Sequence, residues 1–206
     1  DSFRRPPRLS LAIRGVGGQG NLFFGKVLAQ VAFLAGYDDR NILKGETHGM
    51  AQMGGPVIST FGCGEVFSPA LVPGTANVLI AMEKAEVLRP GFLDLLEPGG
   101  TVLMADTHIL PHGLKPEAYP SDEAIAAQLE GYRVVSVDVL SIALNLGDPK
   151  GRCANVAMLG VLSTLPPFDV VPEAVWLQAL RGISRKPALW DLNHAAFMAG
   201  RGMQKG

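Results

Sequence analysis

Cysteine is nearly missing from this chain: Cys63 and Cys153 are its two, about ninety residues apart, with no CxxC and no Cys/His pair at metal-ligand spacing. That spacing argues against a structural zinc or an iron–sulfur cluster built from this chain, and fits two small buried thiols in a reducing compartment. Excess charge is missing too. Eighteen Lys and Arg stand against nineteen Asp and Glu, for a net charge of -1, so no basic face for nucleic acid is expected. No apolar run reaches the ~18 residues that a membrane span requires, and the start lacks the apolar segment of a signal peptide, so a cytoplasmic chain without a membrane partner is expected. Repeats and low-complexity tracts are absent. What remains is 206 residues with 48% hydrophobic and 18% charged side chains, enough for one domain with a sizeable core and some apolar surface for a partner. Residues 1–8 (DSFRRPPR) read as a polar linker or tail.

Glycine, by contrast, is plentiful and concentrated. The run Gly15-Val16-Gly17-Gly18-Gln19-Gly20 lies between an alternating apolar stretch (Leu9, Leu11, Ile13) and a helical stretch over 22–34. A strand that ends in glycines and hands over to a helix aims backbone N–H groups and the positive helix end at whatever lies above them, which suits a phosphate. The alternative is a corner that binds nothing. In the helical stretch Phe24, Val27, Leu28, Val31 and Leu34 recur at helical spacing, and Gly36 is a natural stop.

Further along, residues 37–56 show neither period and read as a long loop or a short helix between loops. Residues 57–61 (VISTF) with 66–67 read as a hairpin, 78–82 (VLIAM) as a buried strand, and 83–96 as a helix that Pro90-Gly91 breaks or kinks. A turn at 98–100 leads to a strand over 101–105. A helix over 122–129, a strand over 132–137, and helices over 140–146, 155–165, 173–183 and 188–199 complete the chain. Alternating strands and helices predict an α/β sandwich around a mostly parallel sheet, with a helical C-terminal part.

A dinucleotide site requires an acid about twenty residues beyond the glycines, at the end of a second strand. Asp38, Asp39 and Glu46 lie near that distance, but no strand is expected before any of them, which weakens the NAD reading. A Walker-type loop is excluded because Gly20-Asn21-Leu22 stands where Gly-Lys-Ser/Thr is required. The Gly-flanked segment with Glu46, His48, Gly49, Met50 and Gln52 offers an acid and an imidazole that titrates near neutral pH; its alternative is a solvated surface loop. His108 and His112 flank Pro111 in a loop, which argues against a metal pair. Asn155 reads as a helix N-cap or as a ligand contact at a helix start.

Taken together, GVGGQG at 15–20, ETHGMAQMGGPV at 46–57, PGTANVLIAMEKAEVLR at 73–89, PGGTVLMAD at 98–106 and NVAMLG at 155–160 resemble the gamma subunit or domain of the 2-oxoacid:ferredoxin oxidoreductases, and within them the indolepyruvate branch. The resemblance implies a Rossmann-like three-layer fold in a chain that is not catalytic alone. It implies a larger partner subunit carrying thiamine diphosphate, magnesium and the iron–sulfur clusters, with electrons passed to ferredoxin and the acyl group to coenzyme A. It also implies that Gly15, Gly17, Gly18, Gln19, Gly20 and Asn21, with Asn155, contact coenzyme A, while Glu46, His48, Gly49, Met50 and Gln52 face the shared active site. Where the family commonly carries Arg or another polar residue this chain has Met53, which removes one candidate cation.

Overall fold

Leu9, Leu11 and Ile13 alternate toward one face of a strand whose other face carries Ser10 and Ala12, and all five are buried, so β1 (Arg8–Arg14) lies inside a sheet. The structure is a computed structural model that describes residues 3–15, 18–48, 57–66, 68, 71–107 and 115–203, with the side chains of residues 18, 19, 47, 48 and 57 outside the description. The other strands are β2 (Ile42–His48), β3 (Val57–Gly64), β4 (Ala76–Ala81), β5 (Leu96–Ala105) and β6 (Arg133–Val137), in the spatial order β2-β3-β1-β4-β5-β6. β1, β4, β5 and β6 pair in parallel. β3 is antiparallel to both of its neighbours, so β2 runs in the same direction as β1.

The helices are α1 (Gly18–Leu34), α2 (Asp122–Gln128), α3 (Val139–Asn145), α4 (Ala154–Leu162), α5 (Glu173–Ile183) and α6 (Pro187–Gly202). They form two unequal outer layers. Leu9, Leu11, Ile13, Val78, Ile80 and Leu103 pack against α1 and α3 to α6. On the opposite face Ala12, Leu79, Ala81, Val102 and Met104 meet Ile125 of α2, with Val87 and Phe92 from the stretch after β4. Strands covered on both faces lose the polar half of their alternation, which is why β4 reads as a continuous apolar run. Helix α1 stops at Gly36, whose φ of +90° lets the Tyr37 N–H return to the Ala32 carbonyl and the Gly36 N–H to the Phe33 carbonyl.

Five sequence expectations are corrected here. Within the stretch expected as a long loop or a short helix between loops, residues 42–48 form β2, and 49–56 lie outside the described residues; the charged Lys44 and Glu46 are the mark of an edge strand and hide its period. Residues 57–61 pair instead with β1 and β2 as part of a β3 that runs on to Gly64, while Phe67 of the expected hairpin lies outside the described residues. Residues 83–96 hold two 3-10 turns, Lys84–Leu88 and Leu93–Leu95, with Pro90 and Gly91 (φ +80°) between them. The 98–100 turn is absorbed as an irregularity within β5, where Gly99 has φ +77°. Asn155 is not an N-cap, because α4 begins one residue earlier with Cys153 at the cap position. The segment before β1 is tied down: Tyr37 donates its hydroxyl to the Pro6 carbonyl at 2.7 Å, and the Arg5 guanidinium lies 5.5 Å from the Tyr37 ring centre.

Candidate functional site

The exits of β1 and β4 diverge. From β1 the chain passes to α1 on one face of the sheet and on to β2 at one side; from β4 it passes to the 3-10 turns on the other face and to β5 at the other side. A crevice opens at the carboxyl ends of adjacent strands where connections part in this way. Gly15 stands at its floor with φ +81°, and a Cβ there would come 3.3 Å from both the Glu83 nitrogen and Glu86 Cγ. Glycine is therefore required twice over, by backbone angle and by space. α1 begins at Gly18, so the N–H groups of its first turn lie at this same edge without helical partners.

Under the turn lies Arg14, only 5% exposed. Its Nε donates to Glu86 at 2.9 Å, its guanidinium sits 5.8 Å from the Phe92 ring centre, and Arg89 approaches the other Glu86 oxygen at 3.6 Å. The Arg14 charge is thus matched internally and braces the floor. Lys84, which follows β4, reaches Asp106 after β5 and Asp122 at the start of α2 (3.2 Å), tying the other side of the crevice together.

Because β2 runs with β1, its carboxyl end arrives at the same edge as Gly15. The register sets Glu46 opposite Ser59, and Ser59 opposite Ile13, two residues before the glycine turn. Ser59 shares the parity of Phe61 and Cys63, so its hydroxyl faces inward toward α1. Between α1 and this part of the sheet lies a cavity of about 260 Å³. Ile13, Phe24 and Phe61 give it apolar walls, Asn21 and Ser59 contribute polar atoms, and Lys26, Lys44 and Glu46 also line it. Asn21 Oδ1 and Ser59 Oγ are buried, and neither has a hydrogen-bond partner among the described residues. Both lysines are exposed, and Lys44 lies so close to α1 that a Cβ on Gly25 would be 3.3 Å from its Cδ.

The structure thus brings Gly15, Gly20, Asn21 and Glu46 to one edge of the sheet, with the backbones of Gly18, Gln19 and His48. Gly17, Gly49, Met50, Gln52, Met53, His108 and His112 lie outside the described residues. Asn155 is not among the residues lining the cavity. Sequence reasoning missed Ser59, Lys26 and Lys44. The signal for Ser59 was there, since its alternation with Phe61 places a hydroxyl on the buried face of VISTF. The absence of a strand before Glu46 is also corrected. An acid on β2 still sits badly for a dinucleotide ribose, because β3 intervenes and puts β2 two strand spacings, about 10 Å, from β1.

Cys63 is buried in β3 and Cys153 before α4, and burial pushes their thiols up to about 12 and about 11, so neither is a ready nucleophile. Among the described residues no group of three or more His, Cys, Asp or Glu could hold a metal ion. No helix among them is long and apolar enough to cross a membrane.

Residues 10–203 match the family model described as pyruvate ferredoxin/flavodoxin oxidoreductase. The chain is 33% identical over 197 residues to the indolepyruvate oxidoreductase subunit IorB of Thermococcus kodakarensis, covering 93% of each chain. With the subunit of the same name from Archaeoglobus fulgidus the identity is 35% over 159 residues, 75% of this chain and 76% of that one. The fold is similar to that of pyruvate oxidoreductase subunit PORC of Thermotoga maritima (TM-score 0.66, 20% identity, 95% and 96% of the two chains). It also matches part of the 2-oxoglutarate:ferredoxin oxidoreductase of Magnetococcus marinus, solved with 2-oxoglutarate, coenzyme A and succinyl-CoA bound (TM-score 0.69, 20% identity, 98% of this chain and 32% of that one).

Proposed function

As a member of the pyruvate ferredoxin/flavodoxin oxidoreductase family, to which this chain belongs, we propose that it is the small, gamma-type subunit of a 2-oxoacid:ferredoxin oxidoreductase acting in the cytoplasm on an aryl 2-oxoacid such as indolepyruvate. The observation that carries this reading is the meeting of the 15–20 turn and the strand leading into 46–56 at one edge of the sheet. The names of its relatives support the substrate. In this reading Gly15, Gly17, Gly18, Gln19, Gly20 and Asn21 hold phosphates of coenzyme A against the helix N-terminus, where backbone donors and the helix dipole favour an anion.

Asn21 Oδ1 and Ser59 Oγ, buried without partners, and the exposed Lys26 and Lys44 are polar groups that such a ligand would complete. Glu46, His48, Gly49, Met50 and Gln52 face the partner, and Asn155 belongs to this contact set only if assembly brings it there. When bound, thiamine diphosphate with magnesium supplies the decarboxylation, coenzyme A accepts the acyl group, and iron–sulfur clusters lead electrons to ferredoxin; all but coenzyme A are assigned to the larger subunit. This chain orients the coenzyme and closes one wall of the shared site.

The test is turnover with and without the partner. Coexpressed with its larger subunit, the chain should support coenzyme A-dependent ferredoxin reduction by indolepyruvate, and purified alone it should support none. Gly18→Ala in the complex should raise KM for coenzyme A. Turnover by the chain alone, or saturable NAD binding without coenzyme A binding, overturns the reading.

A further inference from the structure

Gly182 has no explanation within the packing of the described residues. It stands in the last turn of α5 without a positive φ, and a Cβ on it would meet nothing within 4 Å, whereas at Gly160 and Gly200 the place of a Cβ is taken by backbone of the facing helix. Glycine weakens a helix relative to alanine, so one that gains no contact by lacking a side chain points to a close approach from outside. It opens on a groove of about 550 Å³ between α1 and α5, where Ala29 and Ala179 are small as well and Phe33 and Ile183 are apolar. Phe33 is 58% exposed, and Leu22, on the same stripe of α1 as Lys26 and Ala29, is 62% exposed. We propose that this groove receives an acidic amphipathic helix of the larger subunit, an inference that rests on the partner assigned above.

Shape and charge both select that occupant. Leu22 and Phe33 are separated by about 17 Å along α1, so they grip a helix of about three turns. The small residues let its backbone come close, and its apolar side chains at i, i+4 and i+7 lie against Ala29, Gly182 and Ile183. Lys26 and Lys44 line the groove, and Arg185 and Lys186 follow shortly after Ile183; all four are exposed, and against them stands one lining acid, Asp39. Helix α1 carries no acid, and Glu173 of α5 is held by Arg201 at 3.0 Å. The whole chain has a net charge of -1, so this positive face is local and calls for carboxylates. A second copy of the chain seated by two-fold symmetry would set these cations against each other. Leu22, Lys26 and Lys44 also line the cavity beside the glycine-turn edge, so a helix in the groove extends the contact assigned to the partner there rather than opening a separate one. Lys26 and Lys44 stay with the coenzyme, and Arg185 and Lys186 meet the acids of the helix.

Assembly of the full chain with its larger subunit tests the groove through Phe33→Ala, Gly182→Gln and the double variant Arg185→Glu/Lys186→Glu, all remote from the glycine turn. Each should raise the Kd of the complex about tenfold, and the gap between wild type and the charge variant should narrow as salt rises while that of Gly182→Gln persists. Gly182→Gln should melt no lower than wild type, since it places a helix former in open space, and KM for coenzyme A in the assembled fraction should stay as it was. In the purified complex, Phe33→p-benzoylphenylalanine should crosslink on illumination to a helical segment of the larger subunit rich in Asp and Glu. Unchanged assembly in all three variants, or a crosslink to a segment without acids, overturns the groove while leaving coenzyme A-dependent turnover as argued above. Variants that break a dimer of this chain and leave its assembly with the larger subunit intact overturn it in favour of a second copy. A wild-type chain that does not assemble with the larger subunit overturns both this inference and the partner assignment.

Discussion

Gly15 and Asp148 show how differently single residues can be read. Gly15 is legible in the sequence as the first glycine of a turn, and its φ of +81° with two atoms 3.3 Å from a would-be Cβ explains the residue fully. Gly15→Ala should cost about 2 kcal/mol in urea unfolding, the order expected for a forced left-handed residue, with an unchanged m-value. Asp148 gave no signal, because its partners are backbone N–H groups that come together only once 147–153 has folded. Only 8% exposed, it accepts the Cys153 N–H at 2.8 Å and so does the capping work expected of Asn155. Burial pushes its carboxyl up, but the N–H groups of Cys153, Lys150 and Arg152 outweigh that and hold it below the ordinary range. A depressed carboxylate stabilises the fold above the unfolded pKa of about 3.9, and the benefit is lost as pH falls through the lower folded value. Asp148→Ala should therefore cost about 1 kcal/mol at pH 7, and chemical denaturation should show the gap closing below about pH 4. A gap that does not narrow at all on acidification below the unfolded value would contradict the assignment.

Among the elements, the crossing of α4 and α6 depends on two facing glycines. A Cβ on Gly160 would fall on the Phe197 carbonyl oxygen, and one on Gly200 on the Ala157 carbonyl oxygen. Backbone cannot yield as a side-chain tip does, so Gly160→Ala and Gly200→Ala should each cost about 3 kcal/mol, and the pair should fall short of the sum because one separation relieves both. Gly182→Ala is the control. Its Cβ meets nothing within 4 Å in α5, so it should raise stability by about 0.5–1 kcal/mol. Thermal melts of the three variants decide the matter. Helices α1, α5 and α6 were legible because apolar residues recur along one face, α4 because it is an unbroken apolar run, β1 and β4 because their buried runs are bounded by turn residues, and β6 because Val134, Val135 and Val137 cluster in one short segment. β2 escaped because an edge strand with Lys44, Gly45 and Glu46 in its middle carries almost no period. The 84–95 region escaped because 3-10 turns and an amphipathic helix differ little over so few residues.

At the scale of the whole molecule, the sheet order decides what the glycine turn can serve. An α/β sheet with a turn of this kind could be read as a dinucleotide fold, and only the tertiary position of β3, which periodicity cannot report, moves the acid of β2 away from β1. The two halves of the site were legible as motifs; the cavity between them was not, since it is made where α1 passes over three strands. If the site works as proposed, coenzyme A at a hundredfold excess over its Kd should stabilise the assembled complex by about 2.7 kcal/mol, read as a raised thermal midpoint, and NAD should leave the midpoint where it was.

The lone antiparallel strand has one more consequence. Because β2 ends and β3 begins at the same edge, the pairing of His48 with Val57 closes this side of the sheet at the edge where β1 reaches Gly15. A chain that leaves and re-enters a sheet between two paired strand ends can change in length without shifting their register, which makes that junction the natural place for this architecture to diversify in what it accepts.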